Sequence, residues 1–258
     1  MRNRIVSNAD WVGLSNSYQP SETACAIQHD CTTTAQPVTL FGPERYESGY
    51  QYPLVVWLHS SGSSEAELEN VMPALSMQNY VGCAPRAPLS SQRGRGRFHW
   101  GKSSSVQGTA EELVFSAVES AHQHFNLHPT RVFLAGFGGG ATMALRIGLR
   151  FPEQFAGVVA VCGHFPNERN VLANLHQARA LPILWMYGQD SQQCGISHVC
   201  EALPIAHTAK LSLDIRQYPC ADELLSNMLG DANAWLMKLI TNQPAQTAHV
   251  AEGNFSRN

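Results

Sequence analysis

The chain has 258 residues, 44% of them hydrophobic and 14% charged, with 17 Lys and Arg against 20 Asp and Glu for a net charge of −3. That is enough apolar material to bury a core in one large α/β domain or two small ones, and nothing in the charge balance steers the molecule toward nucleic acid or an anionic membrane surface. No apolar stretch reaches the roughly 18 residues of a membrane-spanning helix, and MRNRIVSNADWVGLSN has no apolar signal core, so the sequence predicts a cytoplasmic protein.

Taken in chain order, residues 1 to 36 are rich in Ser, Thr, Asn and Gln without a sustained period, which predicts a loosely ordered segment. PLVVWLH (53–59) reads as a buried strand followed by a helix near 64–77, and YVGCAP (80–85) as a strand followed by a helix over 109–125. RVFLAGF leads into a helix from about 139 to 151, and FAGVVAVC (155–162) leads through a loop to a helix near 169–178. LPILWMYG (181–188) precedes a helix near 197–208, LSLDIRQYP (211–219) precedes a last helix over 222–241, and residues 243–258 again look loosely ordered. Continuous apolar strands alternating with helices predict a mostly parallel sheet covered on both faces, one domain over 37–242. Function in such sheets sits at the carboxyl ends of the strands.

Seven cysteines (Cys25, Cys31, Cys83, Cys162, Cys194, Cys200, Cys220) are odd in number and form no CxxC pair, which suits reduced thiols rather than a disulfide framework or structural zinc. The segment RVFLAGFGGGATMAL (131–145) is the most informative one. Gly136, Gly138 and Ala141 fit GxGxxA between a strand and a helix, a dinucleotide fingerprint, but the following strand ends in Cys162-Gly163-His164 and not in an acidic residue. Nucleotide binding through the 136–141 turn is therefore a weak alternative.

A broader match covers residues 39 to 241. PLVVWLHSSGSSEAELENVMPAL, NYVGCAPRAP, RVFLAGFGGGATMALRIGLRFPEQFAGVVAVCG, YGQDS and QYPCADEL stand in the order of five segments of the α/β-hydrolase fold. The chain resembles the carboxylesterase/phospholipase (acyl-protein thioesterase-like) group of serine hydrolases. The resemblance implies an oxyanion strand, a nucleophile elbow, an acid segment and a histidine segment. It also exposes the departures. GFGGG puts Gly138 where the nucleophilic serine belongs, QYPCADEL puts Asp222 where the histidine belongs, and HSSG replaces the HG motif with His59-Ser60. Asp190 falls two residues after Gly188, where the family's acid falls three after. Backbone N–H groups at Ser61 and Gly139 remain as oxyanion or small-anion donors. An elbow forces its apex to positive φ, so glycine is the relaxed choice once no hydroxyl is needed.

Other residues carry alternatives. Asp190 and Asp222 are expected near one another, as a like-charge pair, as a metal site with His59 or His164, or as turn and helix caps, Asp222-Glu223 suiting a first helical turn. No metal or other cofactor is expected. Cys162 and Cys220 end strands and offer substitute nucleophiles, as do Ser60, Ser61 and Ser63, against the plainer reading of buried thiols and a serine loop. The loop 90–104 gathers Arg93, Arg95, Arg97, His99 and Lys102 around Phe98 and Trp100, either a grip on an acidic ligand or a solvated loop with Trp100 packed beneath it. The preferred expectation is a hydrolase-fold protein that has lost its triad and binds a small molecule, an acidic ligand or a protein through the old pocket. The competing one is an ester or thioester hydrolase with a substitute nucleophile.

Overall fold

The computed structural model describes residues 4–7, 37–91, 95–166, 171 and 176–242. Ten strands appear in chain order: β1 (Arg4–Ser7), β2 (Val38–Gly42), β3 (Tyr52–Leu58), β4 (Val81–Pro85), β5 (Leu89–Ser90), β6 (Phe98–His99), β7 (Leu127–Phe137), β8 (Gly157–Val161), β9 (Pro182–Gly188) and β10 (Ser212–Tyr218). The helices laid out in full among the described residues are α1 (Leu68–Leu75), α2 (Ser104–His124), α3 (Gly139–Arg150), α4 (Ile196–Ala209) and α5 (Ser226–Asn242).

Every residue of β3, β4 and β8 is buried, the pattern of strands covered on both faces. They form one eight-stranded sheet in the order β1-β2-β4-β3-β7-β8-β9-β10, parallel from β4 through β10, with β2 antiparallel to both β1 and β4. The chain steps from β3 one way to β4 and then back across the sheet to β7, β8, β9 and β10. Right-handed crossovers therefore put α1 on one face and α2, α3 and α4 on the other, and α5 packs beside α1. The direction reverses between β3 and β7, so their carboxyl ends open the crevice where α/β sheets hold ligands. Trp57 and Trp185, both fully buried, fill the core beneath it.

Several boundaries differ from the sequence expectation for physical reasons. Helix α2 begins at Ser104 and not 109, and buries Ala110, Val114, Ala117 and Ala121 along one stripe. The predicted 64–77 helix is a short 3-10 turn at Glu65–Glu67 followed by α1. Helix α5 starts at Ser226, not 222, so Asp222 and Glu223 do not form its first turn. Strand β2, unforeseen, is buried throughout, and Arg4–Ser7 pairs with it as an edge strand inside the segment expected to be loosely ordered. The helix predicted near 169–178 falls largely outside the described residues, which there include Val171, in helical conformation, and a 3-10 turn at Gln177–Ala180. The 243–258 segment also lies outside them. No helix among the described residues is long and apolar enough to cross a membrane.

Candidate functional site

The carboxyl end of β7 turns sharply into α3 at Gly138, with φ 56° and ψ −117°. That left-handed bend is what an elbow requires, and glycine adopts it without a Cβ penalty. The Gly138 N–H donates to the Val161 carbonyl at 2.8 Å, and its own carbonyl accepts from the Thr142 N–H at 3.1 Å. A side chain at Gly138 would meet nothing within 4 Å, so the space for one is open. At Gly140 a Cβ would overlap the Leu58 carbonyl oxygen, which shows how closely α3 crosses the end of β3. At Gly139 it would overlap the Ser61 hydroxyl, so Ser61 rests on the elbow.

The loop after β3 is tied down on every side. His59 is fully buried; its Nε2 accepts the Ala87 N–H at 3.1 Å, which leaves Nδ1 as the N–H donor to the Ser60 carbonyl at 2.8 Å. Burial holds its pKa below the usual histidine value, and with both nitrogens engaged it is no general base. Trp100, itself buried, donates its indole N–H to the His59 carbonyl at 2.8 Å. Ser60 donates its hydroxyl to Glu67 at 2.7 Å, and Glu67 also accepts the Trp57 indole N–H at 2.9 Å. Gly62 and Ser63 bond to the Phe98 backbone, and Arg86, ion-paired with Glu65, lies over the Phe98 ring. The N–H groups of Ser61 and Gly139 have no protein acceptor among the described residues.

The remaining triad positions are joined to each other. Ser191, three residues after Gly188, donates its hydroxyl to Asp222, and Asp222 also accepts the N–H groups of Gln192 at 3.2 Å and Gln193 at 3.3 Å. Ser191 Oγ in turn accepts the Cys194 N–H at 2.8 Å. Asp222 is thus the anchor of the 191–194 turn. Asp190 is exposed, and its backbone N–H donates to the Cys220 carbonyl at 3.0 Å. Among the described residues, no three His, Cys, Asp or Glu side chains stand where they could share a metal ion.

A cavity of about 650 Å³ opens over the elbow and is lined by Ser61, Gly138, Gly139, Thr142 and Cys162, among others. Ser60, His59, Cys220, Asp190 and Asp222 do not line it. Cys162 sits at positive φ (52°) directly after β8, and burial pushes its thiol up to about 11. Cys220 is raised too, by burial first and then by neighbouring acids. Neither thiol is poised as a thiolate near neutral pH. His99, Trp100 and Lys102 face the cavity, whereas Arg95 and Arg97 are exposed outside it and Arg93 lies outside the described residues. His164 also faces it; its pKa is lowered by partial burial and by the nearby His198 and Lys102.

Among the lining residues that the sequence did not single out are Thr142, Arg146, His198 and Glu201. Their signal was helical spacing, four residues apart on α3 and three on α4, but only the packing of those helices shows which face meets the cavity. Ser191 was legible by counting three residues from Gly188. The glycine turn does not meet the dinucleotide arrangement, since β7 follows β3 and β4 in the sheet rather than opening it.

Residues 48–240 match the family model described as Phospholipase/Carboxylesterase. Among curated proteins of Oryza sativa subsp. japonica, the one named Probable carboxylesterase Os04g0669600 is 28% identical over 156 residues, 53% of this chain and 66% of its own length. That span is just under two thirds of the rice protein. A second, named Probable inactive carboxylesterase Os04g0669700, is 24% identical over 183 residues, 64% of this chain and 75% of its own. Among solved structures, a carboxylesterase from Mesorhizobium loti superposes with a TM-score of 0.65 at 18% identity, covering 80% of this chain and 97% of the other.

Proposed function

Since the chain belongs to the phospholipase/carboxylesterase family and has the α/β-hydrolase fold, we propose that it is a non-catalytic member, binding a small ligand through the former active-site cavity. The observation that carries this reading is the Ser191–Asp222 hydrogen bond. The two positions that would orient and move a proton are bonded to each other and spent on holding a turn. Gly138 supplies no nucleophile at the apex they would serve. The nearest substitutes are poor: Cys162 is a raised-pKa thiol with no histidine bonded to it among the described residues, and Ser60 gives its hydroxyl to Glu67. What remains is a shaped cavity with the Ser61 and Gly139 N–H groups at its floor.

Hydrolysis of p-nitrophenyl butyrate and of an acyl-thioester tests the reading. The wild type is expected at the buffer rate. A triple variant, Gly138→Ser, Ser191→Asp and Asp222→His, places all three groups on the existing turns and is expected to exceed the wild type by about 100-fold, the lower end of what a positioned acid–base group contributes. Wild-type turnover that survives repurification and disappears in Cys162→Ala overturns the reading in favour of a substitute nucleophile.

A further inference from the structure

The sheet ends at β10, whose outer side pairs with no strand among the described residues. Ser212–Tyr218 runs beside β9 over its whole length without a bulge or a proline, and Ser212, Asp214 and Gln217 are exposed. An edge of that kind presents free N–H and C=O groups to another strand. Which groups are free follows from one bond. The Tyr218 carbonyl accepts the Gln189 N–H at 2.7 Å, so Tyr218 turns its backbone groups toward β9. Along a parallel ladder the residues alternate in the side to which they bond, so Ser212, Asp214 and Arg216 also bond inward. Leu213, Ile215 and Gln217 turn their N–H and C=O groups outward. The side chains alternate as well. Asp214 accepts the Trp235 indole N–H at 2.7 Å and Arg216 lies 3.4 Å from Asp231, so both stand on the face that carries α5. Beside the edge, a hollow of about 400 Å³ lined by Asp214, Ile215, Arg216, Ala234, Trp235 and Lys238 leaves room for the side chains of an added strand.

We propose that β10 pairs antiparallel with β10 of a second copy of this chain, about a two-fold axis at Ile215, so that one continuous sheet runs through a dimer. In that register Ile215 faces Ile215 and Leu213 faces Gln217. These are the residues that point outward, and each facing pair exchanges its N–H and C=O groups. Asp214 then faces Arg216 of the second copy, and by symmetry Arg216 faces Asp214 of the second copy. Both charge pairs fall at the non-hydrogen-bonded positions, where facing side chains come closest.

Charge selects this register. Centring the pair one residue earlier sets Asp214 against Asp214, and one residue later sets Arg216 against Arg216. An in-register parallel arrangement sets each charge beside its own kind. Like charges directly opposite one another destabilise a strand pair, whereas opposite charges support it. The strand is thus complementary in charge to itself, which favours a second copy over an unrelated segment. No residue of β10 is in the described lining of the cavity over the elbow, so this surface stands apart from the site proposed above and ester turnover has no bearing on it.

Sedimentation equilibrium of the full chain tests the proposal, and the wild type is expected to pass from monomer to dimer between about 1 μM and about 1 mM. Asp214→Arg and Arg216→Asp each set like charges opposite one another at both facing pairs, and each is expected to weaken self-association by about 10-fold or more. An equimolar mixture of these two variants sets opposite charges at both pairs again and is expected to regain the wild-type affinity as a heterodimer. Gln217→Pro removes an outward N–H, a change that an edge strand tolerates, and is expected to weaken the dimer while the circular dichroism of the folded chain is kept. A wild type that stays monomeric throughout overturns the proposal, whether the edge is bare or is covered by residues 243–258. A dimer that Gln217→Pro and both charge variants leave unchanged, or a mixture no tighter than its components, overturns it too.

Discussion

At Gly138 the backbone bends through φ 56° under an open space, and two residues later Gly140 presses against the Leu58 carbonyl. The two glycines serve different ends, and alanine separates them. Gly138→Ala adds a methyl with room to stand but on a disfavoured backbone, for an expected loss of about 1–3 kcal/mol in urea unfolding. Gly140→Ala drives a Cβ into backbone that cannot turn aside, and is expected to cost ~4 kcal/mol or more, or to yield no folded protein. Equal losses at the two sites would contradict this division. The positive φ at Gly138 was legible in the sequence because an elbow has one backbone shape. The partner of Asp222 was not read: Asp190 drew notice for its charge, while the hydroxyl that bonds Asp222 belongs to the next residue, Ser191.

Among the elements, the turn between β9 and α4 depends on a side chain from the loop after β10. Asp222 accepts from Ser191, Gln192 and Gln193 together, and the Cys194 N–H is held at second hand through Ser191. Asp222→Ala is therefore expected to speed amide exchange at Gln192, Gln193 and Cys194 by about 10-fold or more while leaving β9 and β10 protected, since local openings draw on local bonds. Protection unchanged in that turn would show that the anchor is dispensable. The parallel strands β3, β4, β7, β8 and β9 were legible because burial on both faces writes itself as an unbroken apolar run. Strand β2 was not, because VTLFG is short and antiparallel and follows a stretch of polar sequence without a sustained period.

For the molecule as a whole, buried titratable groups set a window of stability. His59 and His164 have folded pKa values below 6.5, each lowered first by burial, and His128 shifts the same way. Below pH 6.5 the unfolded chain binds more protons than the folded one, so stability falls as pH drops from there toward the folded values. Cys162 and Cys194 are raised from 9.0 to about 11 and about 12, with Cys83 also raised. Above pH 9.0 the unfolded chain loses protons that the folded one keeps, and stability falls again. Urea midpoints are expected to peak between pH 6.5 and 9.0, with each such group changing the slope by at most about 1.4 kcal/mol per pH unit. Replacing His59 by Gln is expected to flatten the acid limb; an acid limb of unchanged slope would assign it to other groups. None of this was readable from the sequence, where a histidine and a cysteine carry no mark of how deeply they sink.

The open space over Gly138 also bears on how such a protein is found. Fluorophosphonate reagents report serine hydrolases by bonding to the hydroxyl at the elbow's apex, and they keep the mark because that bond is slow to break. Here the cavity that would admit such a reagent remains, but the apex has no oxygen to bond it. On the proposed non-catalytic reading, a survey by covalent labelling is expected to pass over this molecule, and a method that reads reversible occupancy, such as a ligand-induced shift in melting temperature, is the one expected to bring it into view.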